Sequence, residues 1–96
     1  MTSNRPKAVA SSQIDNEKVI VTEWRFRPGA ETGWHIHGYD YIVVPGMDGS
    51  LLLETAEGSS VAELKAGKSY FKSAGVEHNV VNNSDNEFYF VEIELR

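Results

Sequence analysis

Gly29-Ala30-Glu31-Thr32-Gly33-Trp34-His35-Ile36-His37 and Gly67-Lys68-Ser69-Tyr70-Phe71-Lys72-Ser73-Ala74-Gly75-Val76-Glu77-His78-Asn79-Val80-Val81-Asn82 are the two stretches that decide how this chain folds. All 3 histidines fall inside them. Side chains alternate faces along an extended strand, so His35 and His37 point one way and Ile36 the other. Two imidazoles placed like that can share one ion, because ligand nitrogens must sit about 2.0–2.1 Å from a metal. His78, arriving from a second strand, completes a three-histidine face. His35, His37 and His78 are therefore the candidate metal ligands. A lone His-x-His is weak evidence; the weight comes from the third histidine and from the glycines and asparagine spaced around it.

Outward from these stretches the chain reads as all-β. Along Val19–Phe26, Ile20, Thr22, Trp24 and Phe26 share one face, and Val19, Val21, Glu23 and Arg25 share the other. Pro28-Gly29 is a turn signal, since proline fixes φ and glycine accepts a positive one. Tyr41–Val44 is a short apolar strand ended by Pro45-Gly46, and Asp48-Gly49 predicts a hairpin from it to Leu51–Glu54. A turn over residues 56–60 leads to strands at Val61–Leu64 and Ser69–Phe71, and a polar turn over residues 82–86 leads to a last strand, Phe88–Leu95. In that strand Tyr89, Val91, Ile93 and Leu95 form an apolar face opposite Phe88, Phe90, Glu92 and Glu94, and the glutamate half is expected to be wet. Its first half, apolar on both faces, predicts either a strand buried within one chain or contact with a partner subunit. Residues 1–13 read as a flexible polar tail and residues 14–96 as one barrel domain. Several short strands at this spacing indicate a sandwich or barrel.

Composition narrows the function classes. The chain has 96 residues, 41% hydrophobic and 24% charged, enough for one ordinary core. Its net charge of −5 opposes phosphate backbones and anionic lipid, and no cluster of Lys or Arg offsets it, so neither nucleic acid nor a membrane is an expected partner. With 0 cysteines, disulfides and thiolate zinc sites are excluded. No apolar run approaches the roughly 20 residues needed to span a bilayer. Residues 1–12 lack the apolar stretch of a secretory signal. A soluble, cytoplasmic domain is the expectation.

The two stretches resemble the paired motifs of the cupin superfamily. Gly29, five residues, then His35-Ile36-His37 fit the first motif, with Gly49 as its closing glycine after a slightly longer turn. Gly67, Gly75, His78 and Asn82 fit the second at their offsets, and 17 residues separate Gly49 from Gly67, a short span like that of compact single-domain bacterial cupins. The resemblance covers residues 19–96. More narrowly, Trp34–Tyr41 and Ala74–Val80 resemble the beta-alanine degradation cupins. Two positions depart from the pattern. Ser73 replaces a proline in a turn, and the glutamate ligand of the first motif is missing: Tyr41 and Ile42 occupy its two allowed positions. Asp40 is the nearby carboxylate, but a one-residue shift along a strand reverses the face, so a three-histidine site is expected, with Asp40 a candidate fourth ligand or supporting partner only if the turn at Gly38-Tyr39 differs.

The resemblance implies a small double-stranded β-helix barrel with the site in its mouth, a homodimer, and a divalent transition metal (Fe, Ni, Zn, Mn or Cu). Imidazole suits several of these ions. It also implies a small-molecule substrate, as in a metal-dependent dioxygenase acting on a small organic acid; the alternative is a non-catalytic metal- or small-molecule-binding module. Trp24, Phe26, Trp34, Tyr41, Tyr70 and Phe71 are candidate pocket walls, and Tyr39 and Tyr41 could aim hydroxyls at a ligand. Gly29, Gly75 and Asn82 are expected to serve turns. Glu31, Glu77 and Asp40 are expected to be solvated loop carboxylates.

Overall fold

The period-two run Val19–Phe26 forms a strand whose Ile20, Thr22, Trp24 and Phe26 side chains point inward, and the rest of the molecule is arranged around that choice of face. The structure is a computed structural model and describes residues 4–96. Among the described residues there are nine strands and no helix: β1 (Val9–Asp15), β2 (Val19–Phe26), β3 (His35–Ile36), β4 (Asp40–Pro45), β5 (Gly49–Thr55), β6 (Gly58–Leu64), β7 (Tyr70–Lys72), β8 (Glu77–Val81) and β9 (Phe88–Leu95). They form a five-stranded sheet ordered β1-β2-β9-β4-β7 and a four-stranded sheet ordered β3-β8-β5-β6, antiparallel throughout. Phe26, Tyr41, Val43, Phe88 and Phe90 of the first sheet meet Leu51, Leu64 and Val80 of the second in one buried core.

Register lays the inner face of the larger sheet out in rows. Lys72, Tyr41, Glu94 and Ile20 are opposite one another across β7, β4, β9 and β2; Tyr70, Val43, Glu92 and Thr22 make the next row. Pro45, Phe90 and Trp24 follow, and Phe88 with Phe26 close the base. The outer face of the same sheet carries Val21, Ile42, Val44, Val91 and Ile93, all half-buried.

Three expectations change. The tail is shorter than residues 1–13: Val9–Asp15 pairs with β2 from Val9↔Arg25 to Asp15↔Ile20, while residues 1–3 lie outside the described residues. Every β1 residue is exposed, so no apolar alternation announced it; backbone bonds at a sheet edge hold it. Asp48-Gly49 does not close a hairpin. Both edges of β4 are taken, by β7 and β9, so β5 passes to the other sheet. The tight hairpin is instead β5–β6, with Thr55 opposite Gly58 and Gly58 at φ +123°. Finally, the glutamates of β9 are not both wet: Glu92 is buried and Glu94 half-buried.

Asn82 ties the first turn to the last one, as expected of it. Fully buried, its Nδ2 lies 3.2, 3.3 and 2.8 Å from the carbonyl oxygens of Phe26, Arg27 and Asn86. Asn82→Ala takes this donor from all three carbonyls, leaving Asn86 O with only the Ser84 hydroxyl at 3.1 Å, and a loss of about 2–4 kcal/mol is expected. Urea denaturation should show a lower midpoint at unchanged slope. A loss below about 0.5 kcal/mol, the size of an ordinary surface change, would show that the turn holds without this side chain.

Candidate metal centre

Antiparallel pairing sets the site. His35 of β3 stands directly opposite His78 of β8, and Ile36, opposite Glu77, points away and is 67% exposed. His37 follows β3 and is fixed by two backbone bonds: its N–H donates to Val76 O at 2.9 Å, and its carbonyl accepts from Gly75 N–H at 2.8 Å. Gly75 sits at φ +100°, a conformation that favours glycine, so its turn role is as expected. The flat face of His37 stacks on Tyr41, with ring centroids 3.9 Å apart. His37 and His78 are buried and His35 half-buried.

Sequence reasoning named these three rings, and the structure brings them together. His35 Nε2 lies 3.0 Å from His37 Nε2, which lies 3.1 Å from His78 Nε2. Nitrogens each about 2.1 Å from one ion stand ~3.0 Å apart at a 90° angle and ~3.4 Å apart at the tetrahedral angle, so these two separations are ones a shared cation gives, and the ligand nitrogens of all three histidines lie within 4.8 Å of one another. The proton inventory agrees. His35 Nδ1 is 2.8 Å from Gly33 O; a carbonyl only accepts, so Nδ1 carries the hydrogen and Nε2 presents its lone pair inward. His37 Nε2 can donate to one neighbour but not to both. Without a cation, at least one of the two contacts has no hydrogen bond to satisfy it.

Burial pushes both His37 and His78 down to about 4; the neighbouring imidazoles add to this in both, and Lys72 adds to it at His78. At neutral pH these rings are uncharged, the form a metal needs. The missing glutamate is not replaced by Asp40, which is exposed and accepts from Ala74 N–H at 2.8 Å, capping the loop before β8. Tyr41 is held by the ring stack, and burial raises its hydroxyl above the usual range. Sequence reasoning missed Glu92. A nitrogen of His37 and a carboxylate oxygen of each of Glu92 and Glu94 lie within 4.8 Å of one another. Glu92 shares its face with Phe88 and Phe90, and that phase was the available signal.

The cluster opens on a cavity of about 40 Å³ whose walls include Trp24, Tyr41, Leu51, Leu53, Val80 and Phe90, with Lys72 and Glu92 as its charged groups. At roughly 10–15 Å³ per water, it holds a few waters or one small molecule. Of the expected aromatic walls, Trp24, Tyr41 and Tyr70 line it. Trp34 and Phe71 are exposed, and Phe26 is buried in the core below. Tyr39 is also exposed, near Arg96. Glu31 is buried rather than solvated, because Asn79 and Arg5 bind it, whereas Glu77 is exposed as expected.

Two opposing pH slopes follow. The depressed histidines contribute stability that is present above pH 6.5 and lost as pH falls through about 4. Burial, with help from Glu94 and against the Trp24 indole, raises Glu92 to about 7. Its contribution is present below pH 4.5 and lost as pH rises through about 7. In chelator-treated protein, Glu92→Gln should therefore gain stability relative to the parent between pH 5 and 8, read by urea midpoints. Parallel curves for the two proteins would contradict the assignment.

Comparison with known proteins agrees with this fold. The cupin domain family matches residues 13–94. The beta-alanine degradation protein BauB of Pseudomonas aeruginosa is 63% identical over 94 residues, covering 98% of this chain and 99% of that protein. The crystal structure of a cupin domain from Bordetella pertussis superposes with a TM-score of 0.96 at 60% identity, covering 99% of each chain. A double-stranded β-helix protein from Klebsiella pneumoniae, 24% identical, shares the fold with a TM-score of 0.76 over 99% of this chain and 81% of its own. The chain belongs to the cupin domain family.

Proposed function

We propose that the protein holds one divalent transition metal on His35, His37 and His78 and acts on a small organic acid in the manner of a metal-dependent dioxygenase. The observation that carries this reading is the convergence of the three Nε2 atoms, at 3.0 and 3.1 Å along the chain of contacts. Three imidazoles suit a divalent transition metal such as iron, nickel, zinc, manganese or copper. A bound ion with open positions supplies Lewis acidity and a place for dioxygen to bind.

The residues around it define the substrate. Lys72 brings a positive charge to the cavity, suited to a carboxylate, and the apolar walls exclude bulk water. Glu92, held near neutrality between its two protonation states, can give or take a proton inside the cavity. The cavity admits a short carbon chain rather than a sugar or nucleotide. The name of the Pseudomonas aeruginosa relative, 63% identical, supports an acid from beta-alanine breakdown. We also read the protein as a cytoplasmic homodimer, joined through the half-exposed patch of Val21, Ile42, Val44, Val91 and Ile93. Light scattering should give twice the 10.7 kDa chain mass, and Ile93→Lys should halve it; a monomeric parent would contradict this.

Chelator-treated protein titrated with ferrous ion should bind one equivalent per chain at pH 7.5, and His78→Ala should lose at least about 100-fold in affinity. Iron-loaded protein should consume oxygen with three- and four-carbon acids, and His37→Ala should not. Stoichiometric binding without turnover across that panel would leave the non-catalytic binding module as the function. Absence of binding at neutral pH would overturn both readings.

A further inference from the structure

Asn79, next in sequence to His78, is buried on the side of the site away from the cavity-lining residues, and neither the metal face nor the cavity wall accounts for it. Its Nδ2 donates to Glu31 Oε1 and to Glu54 Oε1, each at 2.9 Å. Its Oδ1 accepts from Gly33 N–H at 3.0 Å, and Thr32 Oγ1 lies 3.5 Å away. The two carboxylates fix which way the amide points, since a flipped amide would turn its oxygen on both of them. Two carboxylates converging on one neutral amide repel each other, and Arg5 bridges them. Its guanidinium reaches Glu31 Oε1 at 3.2 Å and both oxygens of Glu54 at 3.0 and 3.2 Å.

The N-terminal segment that carries Arg5 is fastened at the same place. Glu31 N–H donates to Pro6 O at 2.9 Å, and Ala8 N–H donates to Glu31 O at 2.8 Å. Gly33 sits at φ +92°, and a Cβ there would come within 2.8 Å of Lys7 Nζ. Gly33 is also the residue whose carbonyl accepts from His35 Nδ1 at 2.8 Å. A continuous chain of contacts therefore runs from Arg5 through Glu31 and Glu54, Asn79 and Gly33 to the ring of His35. Partners that orient a ligand and fix its tautomer typically change metal affinity by 10–100-fold when lost.

We propose that Arg5 and Asn79 are positioning residues of the metal centre: the N-terminal segment clamps the residue 31–35 turn so that His35 presents Nε2 to the ion. This rests on the three-histidine reading above. Its sign separates it from simple electrostatics. Removing a nearby cation would tighten binding of a divalent ion, whereas loosening the clamp weakens it.

The test measures cobalt(II) affinity and visible absorption on the full chain, with imidazole nitrogen NMR on the chelator-treated protein. Arg5→Ala is expected to weaken cobalt binding by about 10-fold, Arg5→Lys to fall between it and the parent, and Asn79→Ala to weaken it by up to about 100-fold. Arg96→Ala removes an equal charge from the Asp15 pair elsewhere and should bind like the parent. In the metal-free NMR arm, the parent should show His35 protonated on Nδ1, and Arg5→Ala should show a mixture of tautomers. Should Asn79→Ala fail to fold, the Arg5 variants at the surface decide the outcome. Unchanged or tighter binding in Arg5→Ala, or a loss matched by Arg96→Ala, overturns the clamp while leaving the three-histidine reading intact. No cobalt binding by the parent overturns that reading, and an unaltered His35 tautomer in Arg5→Ala then overturns the clamp as well.

Discussion

Three imidazole nitrogens linked by two contacts of 3.0 and 3.1 Å, in a setting that keeps two of the rings uncharged, form an arrangement that costs free energy unless something positive lies between them. Nearly every local feature of this barrel serves to hold it. The β3–β8 pairing sets His35 against His78. The Gly75–His37 bonds fix the third ring, and Tyr41 closes its flat face. Around them, an apolar wall keeps water from shielding the nitrogens from one another, and that desolvation is the leading cause of the depressed His37 and His78.

The larger sheet supplies the rest by register. Rows two residues apart run from Lys72, Tyr41 and Glu94 down to Phe88 and Phe26, so polarity falls with depth. Glu92 interrupts that gradient. A carboxyl placed between Val43 and Thr22 and above Phe90 is a poor choice for stability, and its raised titration is the physical measure of the cost. Functional sites are where such local conflicts concentrate.

Much of this was legible in the residues. Alternation along Val19–Phe26 divided the two faces of β2, the spacing of Gly29, His35, His37, Gly67, Gly75, His78 and Asn82 singled out the three histidines that the fold brings together, and Asn82 was assigned its turn role. The edge strand β1 was not legible, because its seven residues are all exposed and its bonds are made by backbone, which leaves no apolar pattern. The crossing from β4 to β5 was misread as a hairpin because Asp-Gly speaks only of local φ preferences, whereas pairing by β7 and β9 is long-range. Glu31 was hidden for a related reason. Its burial depends on Arg5 and Asn79, partners 26 and 48 residues distant.

The most direct test of the account is the anomalous-scattering crystal structure of the metal-loaded protein. One peak per chain is expected, with His35, His37 and His78 Nε2 each about 2.1 Å from it, and with Asp40 still bonded to Ala74. A peak bound by fewer than three of these imidazoles, or one centred on the carboxylates of Glu92 and Glu94 alone, would contradict it.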